Sequence, residues 1–551
     1  MTSRQILATG CLAVLVGFGL VAEDNLPAVE PIAKLPFTVS KETTRITSPL
    51  RKDGYVDYLA AINALSSRDV TPENNAFVSL LQLVGAQHGI EDFSPVQKTS
   101  FYRQLGISPL TAEGIRVSDI YHFAAKTVAR KEGIELNRET RLPTRLYGIS
   151  QDLNDELEEQ FEVAQQRPWT GREFPQLAAW LEVNKEPLRQ LRKATQRSRY
   201  FCPLISDSDS EFAVVRSILP AIPGFRTMGR ALSIRVTLHL AEGKNAEAIA
   251  DALQIHRLAR FVSEGPLSVL GMTGYAMEGT ACQADMLVAH HGKLNAEQIS
   301  QWRRQRQRLA GQSKIVDKLE VTERYAFLDG VLSMAKHGPS AMKSLTGSGR
   351  ARKKSFQDSL AIGLLNSVVD WDEVMREGNQ WIDQLVAAGR KPTCQQRLQA
   401  LKELDKKLEL LKKDQFDMSS VGSLLVAGDK GKKAAVTRSV TNALVTLFLA
   451  AQPSAMMADD RVLMKNELVG LSLSLAHYRL EKGNYPEQLS ELVPRYIEKI
   501  PEDFFVGKPL RYGRLGKGYL LYSLGSNGTD ERGYPGYDTV LRVPLPPPDS
   551  R

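Results

Sequence analysis

Cysteine is scarce in this chain: four in 551 residues, at positions 11, 202, 282 and 394. The first lies in an apolar N-terminal run, and the other three are widely spaced and odd in number. At most one disulfide can form among them, no CxxC redox or metal pair exists, and buried core thiols are expected. Histidine is also sparse, eight in all, with no HExxH or other paired ligand spacing. His290 and His291 are adjacent near a helix end, where they are expected to point apart and to gain from the helix C-terminus ahead of Gly292. No Gly-x-Ser-x-Gly elbow, P-loop or Rossmann glycine fingerprint occurs, which removes the usual signatures of α/β-hydrolases, phosphate-loop enzymes and dinucleotide enzymes. Ser333-Met-Ala-Lys336 and Ser340-Ala-Met-Lys343 spell Ser-x-x-Lys, but no Ser-Asp-Asn or Lys-Thr-Gly accompanies them.

A concentrated charge of one sign is missing too. The 71 basic and 63 acidic residues leave a net +8, and the excess is diffuse except at 350–354 and 430–433. A phosphate-tracking stripe needs clustered cations, and there is no zinc-finger spacing, RNP-like aromatic strand or basic zipper, so no nucleic-acid partner is expected. With 42% hydrophobic and 24% charged residues the composition is that of a folded globular protein. The length suits two to four domains of about 100–200 residues each.

What is present begins with Arg4, an uncharged run from Ile6 to Ala22, and then Glu23-Asp24, the order of a secretory signal. Residues 1–22 are expected to be a signal peptide or membrane anchor, which makes the body exported, periplasmic or extracytoplasmic. If uncleaved, residues 6–22 hold it to the membrane. Residues 23–50, with prolines at 27, 31, 36 and 49, read as an extended linker.

Beyond the linker the apolar spacing is helical almost throughout. Residues 51–345 are expected to form an α-helical scaffold of stacked hairpins. Within it, "ALSIRVTLHLAEGKNAEAIADALQIHRLARFVSEG" gives two helices joined at Glu242-Gly243-Lys244, and Asn295 with Gln298 spells a capping box. Residues 346–356 read as a basic loop or linker and 357–457 as a second helical region. The run "VTNALVTLFLAAQPSAMMADD" reads as a buried helix broken by Pro453. The five tryptophans read as core anchors, and the acid pairs Glu158-Glu159 and Asp459-Asp460 as solvated surface. From 458 to 543 the grammar changes to a long helix from Arg461 to Glu481 and then two short strands around Gly516-Lys-Gly518. A Pro-rich tail, 544–551, follows. The fold class expected is mainly α, with a small α+β module at the C-terminal end.

The order of motifs in "AHYRLEKGNYPEQLSELVPRYIEKIP" and "GKPLRYGRLGKGYLLYSLGSNGTDERGYPGYD" resembles the C-terminal part of the major pseudopilins of type II secretion systems. The shared elements are a helix, Gly-x-Tyr-Pro, a Leu-x-x-Leu helix, a Gly-x-Pro-x-x-Tyr strand and a Ser-Leu-Gly-x-Asp-Gly loop. The N-terminal Phe-Thr-Leu-Ile-Glu helix of a pseudopilin is missing here. The whole chain, through "DGYVDYLAAINALSSRDVTPENNA" and "ATQRSRYFCPL", also resembles a family of exported planctomycete proteins of uncharacterised activity. The pseudopilin resemblance implies calcium at the loop, with the Leu524 carbonyl, Asn527, Asp530 and Asp538 as ligands and Ser526 and Thr529 as nearby donors. Calcium takes six to eight oxygens in flexible geometry, which this composition can offer. Asn527 stands where the family has Asp, removing one formal charge. The other reading is a Gly/Asp-rich loop that caps its own amides and needs no metal.

No motif demands catalysis. The expectation is an envelope protein with a structural or protein-interaction role, its partners being envelope proteins and, if the anchor stays, the membrane. Two alternatives are an accessory component of a type II secretion or pilus-like system, and an envelope hydrolase whose site is assembled from distant residues.

Overall fold

The computed structural model describes residues 35–543 except 86–89, 111–114, 133–148, 207–210, 218–221, 310, 339–340, 342–355, 414–429 and 535–538. The expected signal or anchor, residues 23–34 of the linker, nearly all of the basic loop, the Pro-rich tail and Asp538 lie outside the described residues.

The chain is mainly helical, with a small antiparallel sheet region near its C-terminal end. Helices α1 (Tyr58–Ser66) and α2 (Ala76–Val84) open the body. The second helix starts at the Asn75 cap, after a turn in which Thr71 and Asn74 bond to each other. Asn75 Oδ1 accepts from the Phe77 and Phe201 amides while its Nδ2 donates to the Phe201 carbonyl at 2.9 Å. Asn63 makes the same pair of bonds to Leu204, at 2.8 and 2.9 Å. Two asparagines of the opening hairpin thus clamp the segment around Cys202 by its backbone. Helices α3 (Pro95–Leu105), α4 (Ile120–Glu132), α5 (Ile149–Gln166), α6 (Pro175–Val183) and α7 (Lys185–Ala194) lie between.

Next come α8 (Ile222–Ala241) and α9 (Asn245–Glu264), the hairpin expected from the sequence. Gly243, at φ +73°, closes α8: its amide reaches the Leu240 carbonyl at 3.2 Å and that of Lys244 reaches His239 at 2.8 Å. This pairing satisfies the last carbonyls of the helix and needs a left-handed residue, which glycine supplies without steric cost. Helix α10 (Ser268–His291) packs along α9, and α11 (Ala296–Gln307) follows with the Asn295–Gln298 capping box in place. A short α12 (Ile315–Lys318) runs through a π-turn at Leu319–Glu323 into α13 (Arg324–His337). The second helical region is α14 (Phe356–Val368), α15 (Trp371–Gly389), α16 (Cys394–Lys413) and α17 (Lys430–Leu449).

Helix α18 (Gln452–Lys482) starts earlier than expected because Pro453 sits in its first turn, where a missing amide proton costs nothing. One described stretch, Lys433–Lys482, is long and apolar enough to cross a membrane by length and composition, with 44% of its apolar window buried inside the fold. Beyond α18, β1 (Glu502–Asp503) pairs with β2 (Lys508–Pro509), and β3 (Arg511–Leu515), β4 (Gly518–Ser523) and β5 (Thr539–Val543) form an antiparallel sheet in that order.

Three hydrophobic clusters hold the body together, and they cut across the segments drawn from the sequence. The first gathers α2 to α11, and the second joins Val56, Tyr58 and Phe327 with Trp371, Met375 and Leu444, from both sides of the basic loop. The third sets the sheet residues Tyr519 and Leu541 on Leu468 and Leu475 of α18 and on Cys282 and Met286 of α10. Trp169, Trp180, Trp302 and Trp371 are fully buried anchors, each the kind of side chain whose truncation costs about 3–5 kcal/mol. Cys202, Cys282 and Cys394 are free and buried.

Candidate functional site

The concentration of charge deepest in the fold lies where α9, α10, α11 and α18 meet. His256 is on α9, Glu278 and Asp285 are on α10, and all three are 0% exposed. His256 Nδ1 lies 2.9 Å from Glu278 Oε1 and Nε2 lies 2.8 Å from Asp285 Oδ2. Arg260 reaches Glu278 at 3.1 Å, Arg306 reaches Asp285 at 2.8 Å, and Arg306 Nη2 donates to Asn466 Oδ1 at 2.9 Å. Burial works against the imidazolium, but the flanking carboxylates outweigh it and hold the His256 pKa above its usual value. Burial likewise opposes the Glu278 carboxylate, and His256 and Arg260 more than offset it, so that pKa is lowered. An imidazole with a carboxylate at each nitrogen has no lone pair to offer a substrate. The cluster therefore works as an internal ion network.

A second set of perturbed groups surrounds the π-turn. Lys318 donates to the Gly265 carbonyl, Thr322 to Pro266, and Glu323 accepts from the Ser268 amide at 2.6 Å. The π-turn thereby grips the α9–α10 connection by its backbone. Burial lowers the Lys318 pKa to about 8 and raises that of Glu264 to about 6. Asp459, expected on the surface, is drawn inward instead: its carboxylate takes the Ile315 amide at 3.1 Å and touches the Tyr275 hydroxyl, which also lies 2.8 Å from the Ser313 carbonyl. Burial raises its pKa to about 7. The Tyr275 hydroxyl has two acceptors within reach, the Asp459 carboxylate and the Ser313 carbonyl. Asp460 is buried beside it and paired with Arg397. Both acids sit on α18 where it crosses α10, α12 and α16, which local polarity could not reveal.

The open chemistry is on the other side of α9. Two adjoining clefts, of about 400 and 610 Å³, share Arg192. In the smaller, most of the charges are paired: Arg235 grips Asp251 at 2.6 and 2.7 Å, and Lys244 meets Glu242 at 2.9 Å. The larger is different. Ile249 and Leu253 of α9 form part of its lining, Gln301 and Gln305 of α11 and Arg308 at its C-cap follow one side, and Arg192, Gln196 and Arg257 also line it. No carboxylate lines it, and among the described residues none of the three arginines forms an ion pair. Burial and the Arg192 charge press the Arg257 pKa downward. Trp302 lines the same cleft and its buried indole N–H has no acceptor, whereas Trp169, Trp180 and Trp371 each have one.

The residues singled out from the sequence are elsewhere. In the loop after β4, Asn527 Oδ1 accepts from the Thr529 amide at 3.2 Å and its Nδ2 donates to Glu531 at 2.6 Å. Asp530 takes the Tyr522 hydroxyl at 2.9 Å, the Arg532 amide at 3.0 Å and Arg511 at 3.2 Å. The Leu524 amide donates to Asp503 at 2.7 Å, and the Ser526 carbonyl takes Lys402 at 3.2 Å. Among the described residues no group of three or more His, Cys, Asp or Glu is placed to hold a metal. Of the Ser-x-x-Lys pairs only Ser333 and Lys336 are described, and they face different partners: Ser333 Oγ takes the Phe212 amide, and Lys336 binds Asp53. His290 and His291 touch at 4.5 Å, and burial lowers both pKa values, so the expected charge interaction with the helix end gives way to two neutral rings.

No protein-family model, curated protein or solved structure matches the chain. The buried network and the arginine cleft were both missed in the sequence. The available signal was His256/Arg260 and Glu278/Cys282/Asp285, polar residues recurring at one-turn spacing on otherwise apolar helix faces.

Proposed function

We propose that this chain is a cell-envelope protein, exported or tethered by its N-terminal segment, whose helical body works by binding a partner and not by catalysis. The observation that carries this reading is the larger cleft, where unpaired arginines and amides face solvent while the His256 network is closed to it. A rigid helical surface with unsatisfied polar groups is what a recognition site requires before its partner arrives. The test is a photoreactive amino acid placed at Gln301 in the cleft and, as control, at Leu410 on α16, which is exposed and takes no part in it. Irradiated cells should give adducts of defined mass with envelope proteins from position 301 and none from 410. Equal adducts at both positions, or a chain found only in the cytoplasm, overturns the reading.

The C-terminal module supports a second reading, an accessory component of a type II secretion or pilus-like system. Its support is the order of a long helix followed by the β3–β4–β5 meander, which matches the order expected of a pseudopilin-like segment. The same probe at Lys517, in the β3–β4 turn, should then capture a pseudopilin, and capture of none rejects it. Calcium at the loop belongs to this reading. Melting of the full chain should rise with calcium and fall with chelator, and Asn527→Asp should enlarge the response by restoring a charge. Melting indifferent to calcium in both proteins removes the metal.

A further inference from the structure

We propose that the larger cleft is a binding site for an acidic peptide segment, with Arg192, Arg257 and Arg308 taking its carboxylates and the α11 glutamines reading its backbone. This rests on the binding reading above and names the chemistry of the partner. Two features converge on it. The cleft carries three guanidinium groups and no acid, although elsewhere on the same face the charges are paired at close range. Arg257 lines the cleft half-buried, and burial together with the nearby Arg192 charge disfavours its own charge, an arrangement that an incoming anion relieves.

The choice of a peptide over a small polyanion comes from the amides. Gln196, Gln301 and Gln305 line the cleft, and among the described residues their side chains form no hydrogen bond. A carboxamide offers an acceptor as well as donors, and its oxygen is poorly matched to a densely charged anion. It is well matched to a peptide backbone, which presents N–H and C=O groups in alternation. Gln301 and Gln305 recur along one side of α11 and Arg308 follows at its C-cap, so the polar contacts run along a groove and do not close around a point. A volume of about 610 Å³ admits a few residues of extended chain.

The experiment uses the full chain and a fluorescein-labelled hexaglutamate peptide, read by anisotropy at low salt, with hexaglutamine, citrate and inorganic phosphate as competitors. Hexaglutamate should bind, hexaglutamine should not compete, and added salt should weaken the complex by screening. Arg257→Gln and Arg308→Gln should each weaken binding about tenfold, the loss of one charge-assisted hydrogen bond. Arg257→Gln should also leave the melting temperature unchanged or raise it, since it removes a repulsion, and a merely structural arginine would lower it. Binding that survives both substitutions, or absence of binding by folded protein, overturns the proposal. Citrate or phosphate held at these arginines while the peptide is ignored overturns the peptide and leaves a small-anion site. If the peptide fails but position 301 still captures an envelope protein, the binding reading stands and only the acidic occupant is wrong.

Discussion

Replacing Glu278 with glutamine tests whether the buried ion network holds the helices together. The side chain is 0% exposed and its two oxygens lie 2.9 Å from His256 and 3.1 Å from Arg260. Glutamine keeps the volume, so no cavity term enters. What changes is that a buried imidazolium loses one of its two counter-charges, and removing one partner of a buried pair costs about 3–5 kcal/mol because the other is left uncompensated. The retained amide oxygen can still accept one bond, so the expected loss is about 3 kcal/mol, the lower end of that range. The comparison is Glu158→Gln, whose pair with Arg230 is 3.0 Å long but 46% and 34% exposed, and which should cost no more than about 1 kcal/mol. Urea unfolding followed by circular dichroism reads both, with slopes compared so that a midpoint shift reports stability. The pH dependence supplies an independent check. His256 has a raised folded pKa, so its contribution is complete below the unfolded value near about 6.5 and is lost as pH rises through the folded one. Glu278 has a lowered folded pKa, so its contribution is complete above about 4.3 and is lost as pH falls through the folded one. The deficit of Glu278→Gln should therefore be greatest between about pH 5 and 6 and shrink in both directions. A deficit equal to that of Glu158→Gln, or one flat from pH 4 to 9, refutes the reasoning.

Asp459 has a folded pKa raised to about 7, so the wild-type chain should lose stability as pH climbs from about 4 to 7 and level off above that. Asp459→Asn should lack that slope in a matched urea series; if it keeps the slope, another group is responsible. Gly378→Ala would drive a methyl group into the ring of Phe327, which is fully buried, and should lower stability by about 1–3 kcal/mol in thermal melts. Cys202, Cys282 and Cys394 are buried with raised pKa values, so an aromatic disulfide reagent should label none of them in the native chain and all three in denaturant. Labelling of any of the three before unfolding would show that its surroundings open.

The helices were legible because their signals are local. Asn295 and Gln298 announce a capping box within four residues, and the Glu242-Gly243-Lys244 turn announces a Schellman ending, and both are found as read. The β3–β4 hairpin around Gly516 was equally plain. What escaped detection depends on which faces of distant helices meet. Asp459 and Asp460 look like surface acids in their own window, and become half-buried and buried because Tyr275, Ile315 and Arg397 arrive from three other helices. The Arg192–Arg257–Arg308 cleft is invisible for the same reason, since its cations are far apart in sequence and each has ordinary neighbours there. The loop at Ser526 to Asp530 shows the opposite case. Its composition is conspicuous, but the oxygens of Asn527 and Asp530 accept from the loop's own amides and from Arg511 and Tyr522, while the Asn527 amide nitrogen donates to Glu531, and that accounting needs the fold.

Helix α18 explains why body and module should respond together. Met456 belongs to the second hydrophobic cluster, Leu473 to the first, and Met464, Leu468 and Leu475 to the third. Between these apolar contacts the helix offers Asp459 to Tyr275, Asp460 to Arg397, Asn466 to Arg306, and Ser472 to the Tyr519 hydroxyl at 2.6 Å. Apolar packing alone lets a helix slide by a turn at modest cost, because one leucine can replace another. Four polar pairings at fixed positions do not, since a slip leaves buried groups unpaired. The polar residues thus set the register of α18 while the apolar ones supply its adhesion, and Asn466 ties that register to the His256 network through Arg306. Two turns of α11 from Arg306 back to Gln298 carry the amide stripe of the cleft, so a partner seated there rests on a helix whose position the buried network fixes.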